Sequence, residues 1–306
     1  MTLEDKRMPS RRSQDTLDLL RAHKKMASGI GNGWLMKVDA PTGAVAKLHI
    51  RGTTGAAVDG LNMPAVMVTP DKMDIPDAAI LHMHGGAYVS GGLLQCRRLI
   101  SPICAAAGVR ALTFSYRLAP QNPYPAQLED ALKAYRYLLS EGFTPRKIAF
   151  VGESAGGNLA LALALHLRDA GEELPGAIAL LSPWVDLAQM GESYETLSDV
   201  DATLDKEELM KDAVVFAGSP DRLKDADISP VYARFDGFPP TLIHCGTREI
   251  LLSDSEMLDR ALLRDGVEAQ LVRWEGMCHV FQAFGFEESK AANQQIGQFL
   301  KSHLGA

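Results

Sequence analysis

Residues Ile148-Ala149-Phe150-Val151-Gly152-Glu153-Ser154-Ala155-Gly156-Gly157 run an apolar, strand-forming stretch directly into a serine flanked by glycines. Behind it, Asn158-Leu159-Ala160-Leu161-Ala162-Leu163-Ala164-Leu165 favours helix and is too apolar to face water. A strand and a helix that meet at such a sharp turn need small residues on both sides of it. The turn holds Ser154 in strained backbone at the strand's C-terminal end, with its hydroxyl at the positive end of the helix. A serine that merely caps a helix would account for the turn, but not for the glycines and apolar runs that flank it.

The 306 residues suffice for one large α/β domain or two small ones. With 46% hydrophobic and 23% charged residues the chain has no signature of disorder. A net charge of −7 argues against nucleic acid or an anionic membrane as partner. Cys96, Cys104, Cys245 and Cys278 form no C-x-x-C pair and no metal-ligand spacing. Cys104 and Cys245 lie in apolar runs, as buried free thiols do, which fits a reducing compartment. Residues 1–12 are charged and lack an apolar signal-peptide core, and no stretch reaches the length of a membrane span. The expectation is a soluble, cytoplasmic protein.

Residues 10–28 carry a helical apolar pattern that Gly29, Gly31 and Gly33 break. Strand signals follow at 44–50, 65–69, 78–84, 110–115, 147–152, 177–181, 241–245 and 269–274. Turn residues between the first two suit a hairpin. From the third strand onward, helical patterns intervene, which predicts parallel strands with crossover helices. The clearest helices fall at 125–140, 155–169, 254–265 and 287–303. Residues 184–225 break the rhythm: acidic, without strand signal, and with one convincing helix at 206–217. The expected organisation is an N-terminal cap segment, 1–43, and a catalytic domain, 44–306, that carries a cap insertion at about 184–225.

A nucleophilic serine needs a base, an orienting acid and an oxyanion hole. His279, in Gly276-Met277-Cys278-His279-Val280-Phe281, follows the last strand and can reach the same sheet edge as Ser154. His23, His49, His166, His244 and His303 fall within or at the ends of predicted elements and are worse placed. For the acid, Glu249 lies just past the penultimate strand. Asp254 begins a helix, where capping also explains it, and Asp186 follows the preceding strand. Chain position favours Glu249 and leaves the other two as alternatives. His84-Gly85-Gly86-Ala87 ends the third strand, so the Gly85 and Gly86 amides, with that of Ala155, are candidates to hold an oxyanion. His84 itself is read as a structural hydrogen bonder.

These motifs, with Tyr116-Arg117-Leu118-Ala119-Pro120 and Pro123, Pro125 and Ala126, resemble the bacterial hormone-sensitive-lipase-like esterases from about residue 78 onward. The resemblance implies the α/β-hydrolase fold: an α/β architecture with an eight-stranded, mostly parallel sheet, flanking helices and a helical cap. It implies a serine carboxylesterase for small ester substrates, and a homodimer is common in that family. The chain is also similar to monoterpene lactone hydrolases, a hint towards lactones. The family usually carries Asp where Glu153 and Glu249 stand, and the residues alone give Glu153 no role. Tyr88, Trp184 and Phe281 flank the site in sequence and are candidates to line the pocket, with core packing as the competing explanation. The chemistry requires no metal or organic cofactor. Amide or carbamate hydrolysis would use the same constellation, and a non-catalytic receptor on this fold is a further alternative.

Overall fold

A computed structural model describes residues 3–5, 9–26 and 41–305. The glycines expected to end the first helix lie outside these residues. The strands are β1 (Leu3–Asp5), β2 (Thr53–Ala57), β3 (Ala65–Pro70), β4 (Ala79–Met83), β5 (Arg110–Phe114), β6 (Ile148–Glu153), β7 (Ala177–Leu181), β8 (Thr241–Gly246) and β9 (Ala269–Trp274). They form one sheet in the order β1-β9-β8-β7-β6-β4-β5-β3-β2. Among the strands of the described residues, only the β2–β3 and β3–β5 pairings are antiparallel. This is the expected eight-stranded, mostly parallel sheet, extended by a three-residue edge strand, β1, that pairs with β9.

The main helices are α1 (Arg11–Met26), α2 (Thr42–Ala46), α3 (Leu93–Ala107), α4 (Ala126–Ser140), α5 (Ala155–Asp169), α6 (Ser193–Thr196), α7 (Lys206–Ala217), α8 (Leu252–Arg264) and α9 (Glu287–Leu304). Period-two alternation in the buried strands feeds two cores. Ile148 and Phe150 of β6, and Ile178 and Leu180 of β7, face one layer together with Ala160, Leu163 and Leu258 from α5 and α8. Ala149, Val151, Ala177 and Ala179 face the opposite layer with α3 and α9. Small residues on that second face admit close helix packing. A Cβ on Gly297 of α9 would sit 2.4 Å from the Ala106 side chain of α3.

One expected strand is a helix. Residues 44–50 read as strand, yet α2 occupies Thr42–Ala46 and buries Val45 and Ala46, while β2 forms in the stretch read as turn. The reason is close approach: a Cβ on Gly55 of β2 would lie 2.7 Å from the Ala46 carbonyl. The strand is therefore made of small residues and lacks the usual β-branched signal. A hairpin forms here, but it is β2 against β3 and not the expected strand at 44–50.

Between β7 and β8 the chain carries α6 and α7 and no strand. This segment packs over the C-terminal ends of the strands. Phe216 of α7 stacks on Tyr88, just beyond β4, at 3.7 Å between ring centroids. The α1 Lys24 ammonium donates to the carbonyls of Asp201 and Leu204 in the same segment.

Candidate active site

Ser154 stands between β6 and α5 with φ 55°, ψ −123°, a conformation sparsely populated by residues with a side chain. The glycines around it are there for space. A Cβ on Gly152 would meet the Gly156 carbonyl at 2.1 Å, and one on Gly156 would meet the Met83 carbonyl at 2.0 Å. Two backbone bonds secure the serine to the β7 loop: its N–H to Leu181 O (2.9 Å), and the Trp184 N–H to its own carbonyl (3.0 Å).

His279 Nδ1 lies 2.8 Å from Glu249 Oε2. An ionised carboxylate can only accept, so Nδ1 carries the proton and Nε2 keeps its lone pair. The other carboxylate oxygen, Oε1, accepts from the Gly246 N–H (2.6 Å) and the Ser182 hydroxyl (2.8 Å). Ser182 Oγ in turn accepts the Val280 N–H (3.1 Å). The loops after β6, β7, β8 and β9 are thus tied into one cluster. Glu249 is fully buried, whereas Ser154 and His279 are 6% and 8% exposed.

The alternative acids lie elsewhere. Asp254 Oδ2 accepts the amides of Val185 and Asp186 (2.8 and 2.9 Å). Burial, aided by the Asp186 charge, pushes its carboxyl well above the ordinary range. It staples the β7 loop and does not cap its own helix. Asp186 accepts the Tyr232 hydroxyl and the Met190 N–H, both at 2.7 Å.

His84 is structural, as expected of it. It stacks on Tyr116 at 3.9 Å, and its Nδ1 bonds Gly85 O at 2.7 Å. Burial holds its pKa down to about 4.

The turn after β4 corrects one expectation. The Gly85 N–H donates to Glu153 Oε1 at 2.9 Å, so it is taken and does not face a substrate. A side chain reaching back from the neighbouring strand leaves no trace in the local sequence. The Gly86 and Ala87 amides, by contrast, have no acceptor among the described residues. Gly86, Ala87 and Tyr88 form a run of positive φ (114°, 51° and 65°). The Ala155 N–H is the first of α5, where a helix leaves its amides without internal partners.

The three aromatic candidates for the pocket are also corrected, since Tyr88, Trp184 and Phe281 are all fully buried. Tyr88 is clamped between Phe216 and Asn158, whose Oδ1 takes its hydroxyl at 2.8 Å. Trp184 belongs to the core around α5. Phe281 packs on Trp274 at 5.3 Å, in the layer with α9 on the other side of the sheet.

Sequence reasoning passes over Ser182, Asn158 and Asp201. Asn158, one helical turn beyond Ser154, donates to the Trp184 and Ile228 carbonyls (3.1 and 2.9 Å) while it holds Tyr88. A lone amide among alanines and leucines is the available signal. Asp201 Oδ1 accepts the Thr203 and Leu204 amides, and its Oδ2 accepts the N–H of Ile250, the neighbour of Glu249. All four cysteines are buried and free. Among the described residues no three His, Cys, Asp or Glu side chains cluster as a metal site, and no helix is long and apolar enough to cross a membrane.

A model of the α/β hydrolase fold family matches residues 80–283. The chain belongs to that family. Within it, the structure is similar to an esterase of the bacterial hormone-sensitive-lipase family, with a TM-score of 0.85 and 33% identity over 97% of this chain and all of the other. A second solved structure, EstE5, in a crystal soaked with p-nitrophenyl butyrate, gives a TM-score of 0.86 at 32% identity, again over 97% and 100% of the two chains. In sequence it is 37% identical to an acetyl-hydrolase of Streptomyces hygroscopicus over 79% of this chain and 80% of the relative. It is 34% identical to an esterase of Acinetobacter venetianus over 73% and 74%. This α/β-hydrolase is a carboxylic-ester hydrolase of the bacterial hormone-sensitive-lipase type.

Proposed function

We propose that the protein hydrolyses short- to medium-chain carboxylic esters through an acyl-enzyme on Ser154. The observation that carries this reading is the 2.8 Å bond from His279 Nδ1 to a buried Glu249 carboxylate, which leaves Nε2 as the base. Ser154 Oγ attacks the ester carbonyl and its proton passes to His279 Nε2. The carbonyl π bond becomes an oxyanion held by the Gly86, Ala87 and Ala155 amides. As the oxyanion collapses, the bond to the alcohol oxygen breaks and His279 protonates that oxygen. Water then gives a proton to His279 and attacks the acyl-enzyme. The acid leaves and Ser154 recovers its proton. Glu249 holds the imidazole tautomer and stabilises the imidazolium.

We read helix α1 and residues 184–225, which meet through Lys24, as the cap that decides which esters reach Ser154; residues 3–5, expected in the cap segment, instead extend the sheet as β1. The short-acyl preference is supported by relatives named acetyl-hydrolase and, in Pseudomonas putida, ethyl acetate hydrolase. The test is hydrolysis of p-nitrophenyl esters from acetate to palmitate, with a lactone alongside, by the wild type and Ser154→Ala. Activity that falls with chain length and vanishes in the variant is expected. A folded wild type inactive on every ester would overturn the reading.

A further inference from the structure

We propose that Glu153 is the positioning residue of the oxyanion turn, acting through a hydrogen-bonded line Thr113–His82–Glu153–Gly85. The proposal rests on the serine-esterase reading above. Glu153 is the last residue of β6, immediately before Ser154, and its side chain is 3% exposed. Its Oε1 accepts the Gly85 N–H at 2.9 Å, and its Oε2 lies 2.8 Å from His82 Nε2. His82, fully buried on β4, places Nδ1 3.0 Å from the Thr113 hydroxyl on β5. A buried carboxylate is costly to desolvate, and an apolar side chain would fill the same volume.

The arrangement matters because turn and nucleophile touch. A Cβ built on Gly85 would stand 3.0 Å from the Ser154 Cβ and 3.0 Å from the Glu153 carbonyl. The three residues that follow Gly85 have positive φ, a conformation that unconstrained chain seldom keeps. The turn is therefore fastened at both ends. The Gly86 carbonyl receives the Val89 and Ser90 amides (3.0 and 2.9 Å), and the Gly85 N–H is held by Glu153. Between these anchors, the Gly86 and Ala87 amides are left without acceptors among the described residues. Because Glu153 adjoins Ser154, its carboxylate ties the oxyanion donors directly to the backbone of the nucleophile.

Length decides whether the line closes. Aspartate is shorter by one methylene, about 1.5 Å, and from this backbone would leave Gly85 or His82 unbonded. Glutamine keeps the reach: its carbonyl accepts from Gly85, and its amide donates to His82 Nε2 once the imidazole proton moves to Nδ1.

The experiment measures kcat and KM on p-nitrophenyl butyrate, and inhibition by a short alkyl trifluoromethyl ketone, for the wild type and Glu153→Ala, →Asp and →Gln. The ketone is attacked by Ser154 to give a tetrahedral oxyanion, so its affinity reads the donors directly. We expect Glu153→Ala to lose about 100-fold in kcat with little change in KM. The ketone should weaken by the same factor. Glu153→Asp should fall between, and Glu153→Gln should stay within about tenfold of wild type. Ketone affinity unchanged in Glu153→Ala and →Asp, with only the melting temperature lowered, would overturn the proposal. So would a Glu153→Gln as impaired as Glu153→Ala, since charge and not reach would then be the cause. If Glu153→Ala does not fold, the Asp and Gln pair decides alone. A wild type that neither turns over the ester nor binds the ketone would instead overturn the underlying esterase reading.

Discussion

The Ser182 hydroxyl bridges two loops, donating to Glu249 Oε1 at 2.8 Å while it accepts the Val280 N–H at 3.1 Å. It therefore sets both the orientation of the Glu249 carboxylate and the position of the residue after His279. Ser182→Ala should lower kcat/KM about tenfold, the scale of one lost buried hydrogen bond. A Ser182→Ala variant with unchanged kcat/KM would mean that Ser182 only fills space.

Ser154→Ala should abolish turnover and leave the melting curve intact. Glu249→Gln should lower kcat by about 10⁴, because an amide facing Nδ1 favours the wrong tautomer. A Glu249→Gln variant within about tenfold of wild type would contradict the role given to Glu249, since Asp254 and Asp186 are bonded elsewhere.

Asn158→Ala should cost on the order of 3 kcal/mol, read by chemical denaturation, since it strands three buried groups: the Tyr88 hydroxyl and the Trp184 and Ile228 carbonyls. Limited proteolysis should cut the segment between β7 and β8 sooner in this variant. Equal protection in both proteins would contradict the role given to Asn158.

Two buried histidines set the response to acid. Burial holds His84 down to about 4 and His244 down to about 3, below the ordinary 6.5. The unfolded chain takes up protons below pH 6.5 that these imidazoles refuse, so stability is full above 6.5 and is lost as pH falls towards 4 and below. Each contributes a loss on the order of 3 kcal/mol at pH 4. His244→Gln does not titrate and offers an acceptor to the Trp274 indole N–H that now meets His244 Nδ1 at 3.2 Å. Its stability should fall less than that of wild type between pH 6.5 and 4. Parallel curves would be evidence against this assignment.

Chain order makes the proposed nucleophile, acid and base legible as candidates. Ser154, Glu249 and His279 each stand in the loop after a parallel strand, and such loops gather at one sheet edge. What chain order hides is the direction in which side chains reach. Glu153 sends its carboxylate across to the β4 turn and takes the Gly85 amide. Phe281, two residues past His279, turns into the opposite layer. β2 escapes a reading by propensity because its residues answer to a helix lying against them.

The hydrogen bonds of Asn158 and Asp201 bear on how specificity can be re-engineered. Asn158 grips the segment after β7 near both ends, at the backbone of Trp184 and Ile228, and so tolerates a change of side chain there. Asp201 grips from within and needs its own carboxylate to reach Ile250. A chimera that borrows this segment from a relative should place its junctions between those two carbonyls and carry an acid at the position of Asp201. Grafts cut elsewhere would import a new substrate preference together with a misplaced Glu249.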